Sequence, residues 1–162
     1  MVEEKHTISL LVDNQPGVLS RISGMFSGRG YNIESLCGAA TMDPLVSRIT
    51  LVTSGDQLII EQINKQLNKL VNVLKVHDLT KTDFVERQMA LVKVRARPPQ
   101  KAEILRLVDI FRCKVVDVSS THYTIEVTGT EDKLEAFLNL LKPMGIREIA
   151  RTGSIALSRN KK

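Results

Sequence analysis

Apolar and polar positions along the chain follow two periods, and their order repeats. His6 to Val12 (H-T-I-S-L-L-V) is apolar and β-rich, which predicts a strand. Asn14-Gln15-Pro16-Gly17 follows, and Pro16 is expected in the first turn of a helix, where its missing N–H costs nothing. Val18, Leu19, Ile22, Met25 and Phe26 then recur at helical spacing, and Gly28 and Gly30 are placed to end that helix. Ile33 to Thr41 and Val46 to Thr53 read as strands around a turn at Met42-Asp43-Pro44. Ser54 with Gln57 three residues later is a capping-box pattern opening a helix striped by Ile59, Ile60, Ile63, Leu67 and Leu70. Val73 to Leu79 is a fourth strand. The order is βαββαβ, a ferredoxin-like α+β sandwich with an antiparallel sheet and both helices on one face.

After the polar stretch Thr80-Lys81-Thr82-Asp83 the same grammar restarts. Strands are expected at Met89 to Ala96, Lys114 to Ser119, Tyr123 to Thr128, Ile146 to Arg151 and Ser154 to Leu157. One helix opens at Pro98-Pro99-Gln100-Lys101 and is marked by Ile104, Leu105, Val108 and Phe111; the other is striped by Leu134, Phe137, Leu138 and Leu141. The chain is therefore expected to form two consecutive ferredoxin-like βαββαβ units: 1–79, a linker over 80–86, and 87–162. Units of about 80 residues bury only ~60% of their chain surface or a little more, which favours mutual packing or oligomerisation.

Composition narrows the function classes. A charged fraction of 25% and a hydrophobic fraction of 43% over 162 residues are those of a folded globular chain. No run approaches the ~18–20 apolar residues of a membrane span, and the start Met1-Val2-Glu3-Glu4-Lys5 lacks the apolar core of a secretory signal. Two cysteines, Cys37 and Cys113, are too few for a disulfide framework, so a cytoplasmic location is expected. The net charge of +5 is uneven: seven basic against eight acidic residues up to residue 80, and sixteen against ten after it. The basic second half is a solvated surface or a docking face for an acidic partner. Aromatics make up only 4% and Trp is absent, so bases would find few stacking platforms and no nucleic-acid partner is expected.

Catalytic chemistry has no evident home. His6, His77 and His122 stand at no metal-ligand spacing, so no metal site is expected. There is no nucleophile elbow and no P-loop. The glycines Gly24, Gly28 and Gly30 sit at a helix C-terminus, where the dipole repels anions. The informative segment is Asp13-Asn14-Gln15-Pro16-Gly17-Val18-Leu19, which joins a strand to a helix start. Free first-turn N–H groups suit a carboxylate, the bare Gly17 lets a ligand approach, and the Asn14 amide adds a donor and an acceptor for a zwitterion. The same residues also make an ordinary turn and helix start, and spacing alone leaves both readings open. The second half lacks the Asn and the Gly.

These residues carry a family resemblance. Asp13 to Arg21 (D-N-Q-P-G-V-L-S-R) with Phe26 to Leu36 (F-S-G-R-G-Y-N-I-E-S-L) resembles an ACT domain, and more narrowly the small subunits of acetolactate synthase (acetohydroxyacid synthase). Ser47-Arg48-Ile49-Thr50, Gln62 to Leu70, Glu86 to Val94 and Gly153 to Arg159 extend the likeness over nearly the whole chain. The resemblance implies a non-catalytic regulatory subunit with no cofactor of its own. Its partner would be a separate catalytic subunit carrying thiamine diphosphate, Mg²⁺ and FAD, which condenses pyruvate with a second 2-oxo acid. It implies activation of that subunit and feedback inhibition by a branched-chain amino acid, most often L-valine. It also implies a homodimer in which two ACT domains join into one eight-stranded sheet. Carried over residue by residue, it assigns Asn14, Gln15, Pro16, Gly17, Val18, Leu19 and Ser20 to the loop side of the effector site, and Asn32 and Ile33 to the side facing it. Asn32 also suits a plain turn. Two other roles compete on the same scaffold: an ACT-type amino-acid sensor acting on another client protein, and an RNA-binding module, which the strands' lack of aromatics disfavours.

Overall fold

In the computed structural model, which describes residues 4–159, β1 (Glu4–Asp13) pairs antiparallel with β3 (Val46–Gly55) on one side and β4 (Val73–Asp78) on the other. β2 (Ser35–Ala40) adds to the far side of β3, giving the order β2-β3-β1-β4, with no strand beyond β2 among the described residues. Alternation sets the two faces. Ile8, Leu10 and Val12 of β1 with Ile49 and Leu51 of β3 meet two helices, α1 (Val18–Gly28) and α2 (Gln57–Asn68). Val18, Ile22 and Phe26 of α1 and Ile60, Ile63 and Leu67 of α2 close this core. Leu19, placed in the same predicted stripe, is half exposed, and that exposure puts it at the site described below.

The second repeat is built alike. β5 (Phe84–Arg95), α3 (Pro98–Ile110), β6 (Lys114–Val118), β7 (His122–Gly129), α4 (Glu131–Leu141) and β8 (Ile146–Arg151) follow in order, and the strands lie β6-β7-β5-β8, all antiparallel. Ala90, Val92 and Val94 of β5 pack with Ile125 and Val127 of β7 against Ile104, Val108, Leu134 and Phe137. The expected α+β architecture of two ferredoxin-like sandwiches is the one found.

Three local features differ from expectation. Pro16 does not begin α1: Gly17 is the N-cap in a left-handed conformation (φ 88°, ψ −11°), and the helix starts after it. A positive φ is open to glycine because it has no Cβ. Ser54 does not cap α2, because β3 runs on through Gly55 and the Ser54 hydroxyl donates to Glu34 instead. Asp56 is the cap, its carboxylate accepting from the Ile59 N–H at 2.9 Å.

The third concerns the division of the chain. One unit takes in the chain up to Val85 and again from Gly153; the other is Glu86–Thr152. Where a linker over 80–86 was expected, a short 3-10 turn (Leu79–Lys81) is tied down by the Thr7 N–H donating to the Thr80 hydroxyl at 2.9 Å, and β5 begins at Phe84. The terminal residues expected in the second unit return to the first as β9 (Ile155–Ser158), with the Arg159 N–H donating to the Asp83 carbonyl at 2.8 Å. The first sheet supplies the reason. Its face away from the helices carries Leu11 of β1, and Ala156 and Leu157 of β9 border the same space, so apolar surface there gains cover. Ser154 and Ala156 of the returning segment are buried.

Candidate effector site

The loop between β1 and α1 is fixed by its backbone before any ligand is considered. The Asn14 N–H donates to the Leu45 carbonyl at 2.8 Å, and the Asn14 side-chain Nδ2 donates to the Pro44 carbonyl at 2.9 Å. The loop is thus pinned to the β2–β3 turn, which the Asp43 carboxylate closes by accepting from the Leu45 N–H at 2.9 Å. On the other side Asp13 accepts from the Asn72 amide at 3.0 Å, and Arg21 donates to the same Asn72. The Asn14 Oδ1 has no partner among the described residues and remains free to accept.

Gly17 offers no side chain to cap α1. The Val18 N–H reaches the Gln15 carbonyl only at 3.5 Å, and among the described residues the Leu19 and Ser20 N–H groups find no acceptor. Two first-turn donors therefore point out of the helix with the positive end of its dipole behind them. A Cβ added at Gly17 would meet nothing within 4 Å, so the approach to this end is open. The matching position of the second unit is different chemistry. α3 opens with Pro98 and Pro99 in its first turn, and two prolines remove two of the donors an anion would use.

Beside the α1 start lies a hollow of about 310 Å³. Its floor is apolar, formed by Val12, Val18, Leu19, Leu36 and Ile49, and its rim is polar, with Asp13, Asn14, Gln15 and Ser47. Gly38, Ala39 and Ala40 of the edge strand complete it. Register explains the far wall, since Gly38 stands opposite Ile49 and Ala40 opposite Ser47. Gly38 is bare for a reason: a Cβ there would lie 3.2 Å from the Ile49 side chain. Of the sequence-predicted site residues, the structure brings Asn14, Gln15, Val18 and Leu19 to the hollow. Pro16, Gly17 and Ser20 shape the helix start without lining it. Asn32 and Ile33 do not line it: the Asn32 carbonyl accepts from the Thr53 hydroxyl at 2.6 Å, and Ile33 packs against the first core. The β2 and β3 residues were not singled out from the sequence. Their signal was the small-residue run Gly38-Ala39-Ala40, legible only once the strands are in register.

The other chemistry-bearing side chains lie away from this hollow. His6 faces Asp78 at 3.5 Å, both buried. Cys37 and Cys113 are free and half buried. Burial pushes the Cys113 thiol above its ordinary pKa, with Lys133 pulling weakly the other way. Among the described residues no three His, Cys, Asp or Glu converge as a metal set, and no helix is long and apolar enough to cross a membrane.

Comparisons with known proteins agree along the chain. Residues 8–75 match the family described as an AHAS small subunit-like ACT domain, and residues 87–160 match the family described as the small subunit of acetolactate synthase. A protein of Archaeoglobus fulgidus named a probable acetolactate synthase small subunit is 49% identical over 158 residues, covering 98% of this chain and 99% of its own. The acetolactate synthase small subunit of Mycolicibacterium smegmatis is 51% identical over 154 residues, covering 95% and 91%. Among solved structures, the acetolactate synthase small subunit from Thermotoga maritima superposes with a TM-score of 0.90 at 44% identity, covering 98% and 99%.

Proposed function

The chain belongs to the family of acetolactate synthase small subunits, and from that premise we propose that it is the regulatory partner of a catalytic acetolactate synthase subunit, which it activates and makes sensitive to L-valine. In this reading the chain does no chemistry itself. Thiamine diphosphate, Mg²⁺ and FAD belong to the catalytic subunit, where pyruvate condenses with a second 2-oxo acid.

The observation that carries the effector role is the hollow at the α1 start. It sets two free N–H groups and a free amide oxygen beside an apolar floor. An α-amino acid has that complement: a carboxylate for the N–H groups, an ammonium group for the Asn14 Oδ1, and an aliphatic side chain for Leu19, Leu36 and Ile49. The hollow is walled by β2, whose outer edge has no strand partner among the described residues. We read it as half of a site. Pairing of two copies along β2 would extend the sheet to eight strands and bring Asn32 and Ile33 of the second copy to close it. An aliphatic pocket discriminates one methylene by only ~1–3 kcal/mol, so isoleucine and leucine are expected to bind with graded affinity.

Regulation follows as a population shift. Valine favours one arrangement of the dimer, and the catalytic subunit responds to that arrangement. A coupling of about 1–3 kcal/mol between the two sites gives 5–150-fold effects. The test is titration calorimetry with L-valine, D-valine and L-leucine, followed by reconstitution with a catalytic subunit. Stereoselective binding at one site per chain, with activation and valine inhibition of the reconstituted enzyme, is the expected result. Absence of any effect on the catalytic subunit would overturn the proposal and leave a sensor for another client.

A further inference from the structure

The face of the first sheet away from the helices carries an arrangement that the effector hollow does not use. Leu11 stands opposite Arg48 on one side and Lys75 on the other, and Ser9 stands opposite Thr50 and His77. Neighbouring strands are about 4.8 Å apart, so Arg48 and Lys75 flank Leu11 closely enough for their long side chains to converge above it. Ala156, Leu157 and Ser158 of β9 wall the same space, leaving a cavity of about 130 Å³ that Arg48, Lys75, His77, Ser9 and Ser158 border with polar groups. The Arg48 Nη1 donates to the buried Ser9 hydroxyl at 2.8 Å, which holds one side of the guanidinium in place. No carboxylate borders the cavity, and among the described residues neither Arg48 nor Lys75 forms an ion pair. A partly buried guanidinium without an anion is under-compensated, because burial disfavours charge unless a partner is supplied.

We propose that this cavity binds a doubly charged phosphate group, either the free ion or a phosphomonoester. Two basic side chains call for two negative charges, which a single carboxylate does not carry. The arginine fork matches two phosphate oxygens, and the ammonium of Lys75 serves a third. The Ser9 hydroxyl accepts from Arg48 and so keeps its own proton to donate inward; Ser158 adds a second hydroxyl. The volume is that of about four liquid waters, enough for the phosphate and too small for a large organic group, which would stay outside. The site is separate from the effector hollow. Val12 and Ile49 border the hollow and their sequence neighbours Leu11 and Arg48 the cavity, on opposite faces of the same two strands. A phosphate held there bridges β9 to β1, β3 and β4 and fastens the returning segment.

The test is titration of the full chain with inorganic phosphate at constant ionic strength and about pH 8, where the ion is doubly charged. Glycerol 2-phosphate and acetate form parallel arms, and the variants are Arg48→Gln, Lys75→Gln and, on the exposed face of α2, Lys65→Gln. Phosphate is expected to bind at one site per chain and raise the melting temperature. Acetate should bind at least about tenfold more weakly, and Arg48→Gln and Lys75→Gln should each weaken phosphate about tenfold, the effect of losing one charge-assisted contact. Lys65→Gln should change nothing. Comparable binding of glycerol 2-phosphate identifies a monoester as the source, and its exclusion identifies the free ion. Lys75 is exposed, so its variant keeps the fold if Arg48→Gln does not. Equal phosphate affinity in all four proteins, or acetate binding as tight as phosphate, would overturn the proposal.

Discussion

Gly153 lies directly against the backbone of Leu36: a Cβ built on it would stand 3.0 Å from both the carbonyl carbon and the carbonyl oxygen of Leu36, and 3.2 Å from its nitrogen. Backbone of a paired strand cannot step aside as a flexible side chain can. The contact fixes where the returning segment meets the first sheet, on β2, the strand that walls the hollow. Gly153→Ala is therefore expected to destabilise the first unit by about 1–3 kcal/mol, the usual range for overpacking. Denaturant unfolding measures the loss. Limited proteolysis should cut near β9 sooner than in the wild type, and unchanged stability with unchanged protection would refute the contact's importance.

Gly17 carries two separable properties, its left-handed backbone and its missing side chain. Gly17→Ala should cost about 1 kcal/mol of stability, since a Cβ is disfavoured at positive φ, yet it leaves the Leu19 and Ser20 amides free. Valine inhibition of the reconstituted enzyme should survive. Gly17→Asp should fold as well and lose inhibition, because its carboxylate competes with that of the effector for the same donors. Wild-type valine sensitivity in Gly17→Asp would sink the assignment of the site.

Arg112 is the one non-glycine residue with a positive φ among the described residues, at 53°, just past the end of α3. This is the position where helices commonly place glycine to close their last turn. Arg112→Gly removes the Cβ penalty and loses some chain entropy, for a net gain expected near 0.5 kcal/mol. A thermal or urea midpoint above that of the wild type checks it.

Cys113 gives the second unit an alkaline sensitivity of known sign. Burial raises its thiol pKa in the folded chain, with Lys133 opposing, so the folded state holds the proton longer than the unfolded state does. The resulting contribution is fully present below the unfolded thiol's pKa and is lost as pH rises through the folded value. The stability difference between the wild type and Cys113→Ala should therefore shift against the wild type as pH rises from 7 to about 10. A difference independent of pH would contradict the burial of this thiol.

Local patterning already carries the element order, the α+β class and the candidate loop between β1 and α1. Alternation at β1 and the spacing of Ile60, Ile63 and Leu67 are local periods, read without knowing what packs on them. The loop from Asp13 to Leu19 was legible for the same reason: turn and helix-start chemistry acts within a few residues, and the family likeness rests on that run. The tertiary structure alone decided the rest. The far wall of the hollow depends on the register that sets Gly38 opposite Ile49, the phosphate cavity on rows joining Arg48, Leu11 and Lys75, and the unit boundary on Gly153 meeting Leu36. Each joins residues of separate strands, or of a strand and a later loop, and Gly153 and Leu36 lie more than a hundred positions apart. Their energy comes from burying surface and charge between those strands, and no local pattern records which strand will supply the cover.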